Sequence, residues 1–388
     1  MTSLSKPSKI RQIFLNSYEN FHASDSHVSG VQEKAAHAIL NCKSGSLGCN
    51  ISQCTDCGHM EFHNNSCRNR NCPNCQAILK EMWIDKRRAE VIDSPYFHVV
   101  FTVPHELNPL IYGNQELLYS LLHRCSSETL LELARDKKYL GATPGIIQVL
   151  HTWGQTLNFH PHIHCIVSGG GLSDDHKLRK CSEKFFIPVH VMAKVFRGKF
   201  LFYLQKHYTS EKLVFSSSCA ELRNSYSWNE FRDSLYKMDW CPYIKETFNG
   251  FGNAIEYLGR YTHRIAITNT RIQSVTESQV TFSARDYRSG ETKAITLENV
   301  EFIRRFLMHV LPSGFQKIRY YGFLNNRTKT KNLKIIFRLQ GYQKFKQRYV
   351  GLSIAELLKE VWNYDIHVCP ACGCSSMTHL GRSYAYRS

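Results

Sequence analysis

Apolar and polar residues along the chain form runs that predict an irregular succession of strands and helices. Residues 96–103 are apolar on both faces, as in a strand at the middle of a sheet, and Pro104 ends the run. Residues 108–139 carry leucines at helical spacing. A second apolar strand is predicted over residues 145–155. This order favours an α+β fold on a mixed or antiparallel sheet over a doubly wound fold.

The same patterns predict further elements on both sides of this region. Helices are expected over residues 1–40, 76–93, 191–207, 253–264 and 299–311. Strands are expected over residues 240–245, 265–275, 279–285, 293–297 and 315–323.

A histidine-bearing strand is predicted over residues 160–167, where β-branched residues favour an extended run and three glycines end it. Pro161 suits the first position of a strand. Because side chains two residues apart point to the same face, His162 and His164 should lie side by side. Two neutral imidazoles held in this way form half of a metal site. The alternative is a histidine-bearing edge strand that binds no ligand.

Two ligands are too few for a hard divalent cation, which prefers octahedral coordination completed by water and phosphate oxygens. A third protein ligand is therefore expected, and His160 and Gln155 are the candidates. His160 could equally orient the other two histidines without touching the cation.

Tyr257 and Tyr261 lie four residues apart in the predicted helix 253–264 and therefore share one face. Alone, they would be explained as two core tyrosines. Together with the histidine pair they suggest chemistry, because a cation can polarise a phosphodiester as a Lewis acid. A tyrosine facing that cation could attack the phosphorus as a covalent nucleophile, leaving a 5′-phosphotyrosine and a free 3′-hydroxyl.

The 15 cysteines argue for metal binding, since disulfides are rare in the cytoplasm, and seven of them lie between Cys42 and Cys75. Two Cys-x-x-Cys knuckles separated by 14 residues predict one closed, structural zinc site. Its predicted ligands are Cys54, Cys57, Cys72 and Cys75. Cys67 is a possible substitute ligand, whereas Cys42 and Cys49 are interpreted as ordinary thiols.

A third knuckle, Cys369-x-x-Cys372, is half of a zinc site. It could close on Cys374 and His379, pair with another element, or bind nothing.

The formal net charge of +17 points to a polyanionic partner. No acidic residue occurs between Glu301 and Glu356, where twelve Lys or Arg residues alternate with aromatics, a pattern typical of nucleic-acid surfaces. The alternative is a solvated basic face. The predicted DNA contacts are Arg68, Arg70, Lys245, Arg260, Arg264, Arg319 and Arg327. With no long apolar run and no signal-peptide pattern, a cytoplasmic, nucleoid-associated protein without a membrane span is expected.

Several motifs together resemble a known family: HPHIHC, YLGRYTHR, CxxCG…SCRNRNCPNCQ, PYFHVVFTVPHEL and LHTWGQ. They are similar to the rolling-circle HUH transposases of bacterial insertion sequences, in the two-tyrosine class with an N-terminal zinc-binding domain. The resemblance implies an HUH endonuclease-type domain, whose central antiparallel or mixed sheet is flanked by helices. Asn71 stands where the family pattern has histidine.

In that family the two histidines bind Mg²⁺ or Mn²⁺, and the tyrosine helix supplies the nucleophiles. The resemblance thus assigns His162 and His164 as ligands and Tyr257 and Tyr261 as the nucleophile pair. It implies action on single-stranded DNA, at element ends that can form hairpins. Two alternatives stay open: a replication initiator or relaxase with the same chemistry, and a non-catalytic zinc-finger DNA-binding regulator.

The chain accordingly divides into three predicted parts. Residues 1–94 hold a helical lead-in and the zinc-binding module, with knuckles over 54–75. Residues 95–325 form the catalytic domain, and residues 326–388 form a basic tail with the third knuckle.

Overall fold

The structure is a computed structural model of the 388-residue chain. It describes residues 7–24, 27–182, 184–240, 242–245, 259, 266–286, 289–341 and 346–384. The helices of this part are α1 (Lys9–Ser24), α2 (Gly30–Asn41), α3 (Ala77–Arg88), α4 (Asn108–Gly113), α5 (Gln115–Arg135), α6 (Val189–Thr209), α7 (Ser225–Lys237), α8 (Asn299–Leu307), α9 (Lys329–Leu339) and α10 (Ile354–Trp362).

The strands pair only in antiparallel fashion within the described residues. They are β1 (Cys49–Cys54), β2 (Met60–Asn64), β3 (Tyr96–Thr102), β4 (Thr143–Trp153), β5 (Phe159–Leu172), β6 (Leu178–Lys180), β7 (Tyr243–Lys245), β8 (Ile272–Val275), β9 (Gln279–Arg285), β10 (Thr292–Glu298), β11 (Ile318–Gly322) and β12 (Met377–Ser383). The expected α+β class with an antiparallel sheet is therefore confirmed.

The central sheet has the strand order β11-β4-β5-β3-β7, with β6 added beside β5. Strand β5 lies in the middle, and its alternating side chains supply both faces of the sheet. On one face Ile163, Cys165 and Val167 join the largest apolar core, which α5 and α6 cover. Residues Phe196 and Phe200 of α6 are fully buried there.

The opposite face of the sheet carries His162 and His164, followed by Ile166. Ile166 packs in a second core to which α3 contributes Ile84. The same core receives the apolar face of α9, formed by Leu333, Ile336 and Phe337. Helices α3 and α9 therefore cover the side of the sheet that bears the histidines.

The N-terminal helices pack against elements that lie far away in the sequence. Residues of α1 and α2 share one buried core with α8 and with the three-stranded sheet β10-β9-β8. Ser29 is the N-cap of α2, and its hydroxyl forms a capping box with Gln32. The predicted lead-in is thus two packed helices, built into the body of the protein.

The chain returns to its own N-terminal region at its end, because β12 pairs with β1 in a small sheet of order β12-β1-β2. Residues 377–383 are therefore part of the zinc-binding module. The division into three parts stays a prediction, but the boundary at residue 326 does not separate the tail from residues 1–94 in space.

Most predicted elements occur with ends shifted by a few residues, including the strands around residues 96–103 and 145–155. The predicted helix 253–264 lies outside the described residues except Gly259. Sequence patterns missed α7, α9, α10, β6 and the small N-terminal sheet. Among the described helices, none has the length and apolar character needed to cross a membrane.

Gly322 at the end of β11 provides a test of this architecture. Its φ angle is +63°, and an added Cβ would collide with the carbonyl oxygen of Pro144 in β4. Gly314 has a similar φ of +72° but open space around it. Gly314→Ala should cost about 1–2 kcal/mol of unfolding free energy through the left-handed backbone alone. Gly322→Ala should cost about 1–3 kcal/mol more through overpacking, measured by urea denaturation. Equal losses in the two variants would contradict the close approach of β11 to β4.

Candidate functional site

Three histidines converge on one face of the central sheet. His151 of β4 lies directly opposite His162 of β5, and His164 follows two residues later on the same side. All three are buried, and one ring nitrogen from each lies within 4.8 Å of the others. The arrangement follows from the strand period of two combined with the β4–β5 register.

A backbone hydrogen bond determines which nitrogen of His162 is available. Its Nδ1 lies 2.6 Å from the carbonyl oxygen of His160. Because a carbonyl oxygen can only accept, Nδ1 carries the proton and Nε2 of the neutral ring keeps its lone pair. That Nε2 lies 3.0 Å from Nε2 of His164, so both atoms point to the same spot.

His98 of β3 supports His164 from the neighbouring strand. Its Nε2 lies 2.7 Å from Nδ1 of His164. The two rings are stacked, with centroids 5.0 Å apart and an interplanar angle of 5°. A hydrogen bond to the distant ring nitrogen fixes the orientation and the tautomer of a ligating histidine.

Burial keeps the imidazoles of His162 and His164 neutral. Burial, reinforced by the neighbouring charge of His160, lowers the pKa of His162 to about 3. Burial also holds the pKa of His164 well below its usual value, and protonation of His151, His162, His98 or Lys317 beside it would lower that pKa further. Neutral imidazole is the form that binds a metal ion, so the donor set fits a divalent cation.

A lysine lies beside the histidine cluster. The Nζ atom of Lys317 is 5.3 Å from the centroid of the Trp153 ring, which itself stacks on His151 at 4.5 Å. Burial, together with the charge of Arg70, lowers the pKa of Lys317 to about 7. The site therefore combines an imidazole cluster with one adjacent amine.

The two predicted third ligands occupy other positions. The ring of His160 lies beside that of His162, with centroids 5.1 Å apart, but it is not among the three converging imidazoles. The side-chain oxygen of Gln155 accepts a hydrogen bond from the backbone of Arg285 in β9, at 3.5 Å. The structure thus brings His151 to the place that sequence reasoning gave to His160 or Gln155. As metal ligands, His162 and His164 stay predictions.

The predicted nucleophiles Tyr257 and Tyr261 lie outside the described residues, as do Arg260 and Arg264. Gly259, between the two tyrosines in sequence, is described, helical and buried. A Cβ added to Gly259 would collide with the side chain of Ile84 in α3. Since Ile84 packs on the histidine-bearing face of the sheet, Gly259 lies on that side of the protein.

The cysteines form two clusters where the sequence suggested one. One cluster joins Cys72 and Cys75 to Cys42 and Cys67. The other joins Cys54 and Cys57 to Cys369 and Cys372 from the C-terminal knuckle. The predicted set Cys54, Cys57, Cys72 and Cys75 is therefore wrong as a single site, because β1 and the pairing with β12 carry the first knuckle away from the second. Cys42, interpreted as an ordinary thiol, belongs to the first cluster, and Cys67 is a full member of it.

The predicted DNA-contacting cations differ in their surroundings. Arg70 donates to the carbonyl oxygens of Phe315, Leu311 and Pro312, so its guanidinium fastens the zinc-binding module to that loop. Arg319 donates to Ser120 of α5, on the face of the sheet opposite the histidines.

Both arginines thus use some of their donors within the protein, and their contact with DNA stays a prediction. Of the other basic residues predicted to contact DNA, Arg68 and Arg327 are exposed. For Lys245 only the backbone, in β7, is described.

Sequence reasoning missed His151, His98, Cys42 and the partners of the C-terminal knuckle. His151 and His98 stand within quoted motifs, LHTWGQ and YFHVVFTV, and each falls on the histidine side if its strand is paired in register. Period-two alternation was thus a usable signal once the strand order was known. The sequence separation of Cys42 and Cys67 matches no Cys-x-x-Cys spacing, so it gave no sign that these two residues cluster.

Comparisons with known proteins agree with these motifs. A family model described as "Putative transposase" matches residues 145–332, and one described as "Transposase zinc-binding domain" matches residues 13–103. No solved structure matches the chain.

Two curated relatives are also named as transposases. The "Putative transposase y4qJ" of Sinorhizobium fredii (strain NBRC 101917 / NGR234) is 39% identical over 94% of this chain and 92% of its own length. The "Transposase for insertion sequence element IS801" of Pseudomonas savastanoi pv. phaseolicola is 27% identical over 88% of this chain and 82% of its own length. Neither relative is named as a replication initiator, a relaxase or a regulator. The chain belongs to the IS91/IS801 family of insertion-sequence transposases.

Proposed function

We propose that this transposase cuts and rejoins single-stranded DNA through a 5′-phosphotyrosine, with a divalent cation held by His151, His162 and His164 in an HUH-type site. The observation that carries the proposal is the convergence of three buried imidazoles on one face of the sheet, together with the position of Gly259, from the tyrosine segment, against Ile84 of α3 on the same side of the protein.

The histidine cluster fits a divalent cation through its donors and their partners. His162 already directs an Nε2 lone pair into the cluster, since its Nδ1 proton is held by the carbonyl of His160. His164 would hold its own proton at Nδ1 and donate it to Nε2 of His98, which frees its Nε2. His98 thus acts as a positioning residue. When bound, the cation supplies Lewis acidity at the scissile phosphate.

A site made of three imidazoles favours Mn²⁺ over Mg²⁺. Nitrogen ligands suit Mn²⁺ better than Mg²⁺, which is hard, prefers oxygen and gives up its water reluctantly. Water and phosphate oxygens would complete the coordination of the cation. Mn²⁺ should therefore support activity at lower concentrations than Mg²⁺.

The covalent step falls to Tyr257 or Tyr261. The phenolic oxygen attacks the phosphorus and loses its proton to solvent, the bond from phosphorus to the 3′ oxygen breaks, and the departing oxygen takes up a proton. One ester replaces another, so rejoining needs no nucleotide hydrolysis. A second tyrosine would allow the protein to hold one strand while attacking another. The amine of Lys317 lies beside His164 and in its protonated form would support binding of the phosphate.

Helix α9 supports the proposed contact with DNA. Its apolar face is buried on the histidine side of the protein, while Lys331, Lys334 and Arg338 are exposed. Lys329 at its start is paired with Glu90 instead. The acid-free stretch thus presents a basic, solvent-facing helix on the same side as the candidate active site, as expected for a surface that follows phosphates.

The identity of the third ligand is tested by comparing two histidine variants. His151→Ala should weaken Mn²⁺ binding by more than about 100-fold. Loss of a residue that only hydrogen-bonds to a ligand costs about 10–100-fold in metal affinity, and loss of a ligand itself should cost more. His160→Ala should leave affinity within a few-fold, since the carbonyl that orients His162 belongs to the backbone. Mn²⁺ titration followed by electron paramagnetic resonance measures both. The reverse ranking would return the third position to His160.

The nucleophiles are tested by trapping the protein on a labelled single-stranded oligonucleotide that carries an element end. Tyr257→Phe/Tyr261→Phe should abolish the covalent adduct seen in denaturing gels with Mn²⁺ present. The matched control is Tyr243→Phe in β7, because Tyr243 is 61% exposed and its strand neighbours His98 in the same sheet. An adduct that survives in the double variant, or disappears in the control, would refute the assignment.

The basic face of α9 is tested through the salt dependence of binding to single-stranded DNA. Replacing Lys331, Lys334 and Arg338 by alanine should lower the slope of log K against log salt by about 2, at about 0.7 per phosphate contact. A control variant lacks Arg124, Lys194 and Lys206, which are exposed on the helices covering the other face of the sheet. Equal slopes for both triple variants would place the DNA elsewhere.

A further inference from the structure

We infer that Cys54, Cys57, Cys369 and Cys372 bind a second structural zinc ion, which ties the C-terminal end of the chain to the N-terminal module. This site is composite, because its two halves lie more than 300 residues apart in the sequence. The matched zinc-binding family model ends at residue 103 and includes only the first half. The inference stands independently of the proposed catalytic mechanism.

The positions of the sulfur atoms fit tetrahedral zinc. Sγ of Cys54 lies 3.7 Å from Sγ of Cys372, and Sγ of Cys57 lies 3.7 Å from Sγ of Cys369. All four sulfurs lie within 4.8 Å of one another. Zinc–sulfur bonds of about 2.3 Å at tetrahedral angles place neighbouring sulfurs about 3.8 Å apart. A disulfide needs about 2.0 Å, so these pairs are not disulfides.

The backbone forms the same turn at both halves of the site. Gly58 follows Cys57 with a φ of +72°, and Gly373 follows Cys372 with a φ of +77°. The N–H of Gly58 donates to the carbonyl of Cys54, as that of Gly373 does to Cys369. Such turns direct two sulfurs of a Cys-x-x-Cys knuckle to one point. Two matching knuckles that face each other supply a complete set of four ligands.

Strand pairing holds the two knuckles together. Cys54 at the end of β1 lies opposite Met377 at the start of β12, and the N–H of Thr55 donates to the carbonyl of Ser376. The Ser376 hydroxyl also donates to Asp56. The knuckles therefore meet in a fixed register.

The apolar core at this place is too small to stabilise the junction. Its buried members are Cys54, Cys369 and Met377. A module that buries so little apolar surface generally depends on metal binding for its folding free energy. A zinc ion at the four thiolates would supply that free energy. Its loss should release β12 from β1.

The first test counts zinc by mass spectrometry in the purified full-length protein. Cys369→Ser and Cys372→Ser should each remove one equivalent relative to the parent, and Cys42→Ser should remove a different one. Cys42→Ser/Cys369→Ser should therefore lose two. Cys374→Ser is the matched control, because Cys374 is an exposed thiol next to the knuckle and outside the cluster. It should retain the full content.

The second test uses cobalt, whose thiolate charge-transfer absorption reports sulfur ligands and is not produced by imidazoles. Cys369→Ser should lose about half of this absorption, whereas Cys372→His should keep most of it, since zinc-type sites accept three thiolates and one imidazole. Limited proteolysis should then cut near residues 365–384 in Cys369→Ser but not in Cys372→His.

Two outcomes would overturn the inference. One is unchanged zinc content and cobalt absorption in both Cys369→Ser and Cys372→Ser. The other is equal loss in Cys374→Ser. If Cys369→Ser fails to fold, the Cys372→His variant still decides. Four thiolates contribute to the cobalt absorption of this site, so a loss of about one quarter of that absorption identifies position 372 as a ligand.

Discussion

The antiparallel pairing of β4 with β5 is the interaction on which the candidate site depends. It places His151 opposite His162 and aligns Val149 with His164. A slip of one residue in this ladder would turn every side chain of one strand to the other face. The apolar core beneath, which takes Ile163 and Cys165 from one strand and Leu150 from the other, prevents such a slip. Ordinary burial on one face of the sheet therefore fixes the polar arrangement on the other.

Burial also sets the chemical state of the histidines. An imidazole surrounded by protein resists protonation, so His162 and His164 stay neutral, which is the form required of the proposed ligands. The hydrogen bonds of His164 with His98 and of His162 with the His160 carbonyl oxygen restrict the rings to one orientation. The positive charges proposed to attract DNA lie outside this cluster, on the exposed side of α9. The separation allows strong attraction for phosphate without protonating the ligands.

The two cysteine clusters compensate for the small apolar core of the N-terminal sheet. The sheet β12-β1-β2 buries few apolar side chains, so packing alone contributes little to its stability. Thiolate clusters at both ends of this module replace the missing core. One lies beside the core formed by α1, α2 and α8, to which Cys72 contributes, and the other joins the C-terminal knuckle to the first knuckle. The chemistry of the sheet face and the stability of the module thus rest on different residues.

The sequence by itself determined what depends on local spacing. The alternation around His162 and His164 defined a strand with both imidazoles on one side, and the Cys-x-x-Cys pairs identified metal-binding turns. Motif resemblance identified the transposase family, and apolar periodicity indicated most helices and strands of the central domain.

Only the tertiary structure decided which distant residues meet. The partner of each knuckle, the third imidazole and the engagement of Arg70 and Arg319 within the protein all depend on strand order and register. Four equivalent thiolates satisfy zinc whatever their order in the chain, so spacing cannot choose between pairings. The choice is made by the free energy of packing β12 on β1 and β4 on β5, which no local pattern encodes.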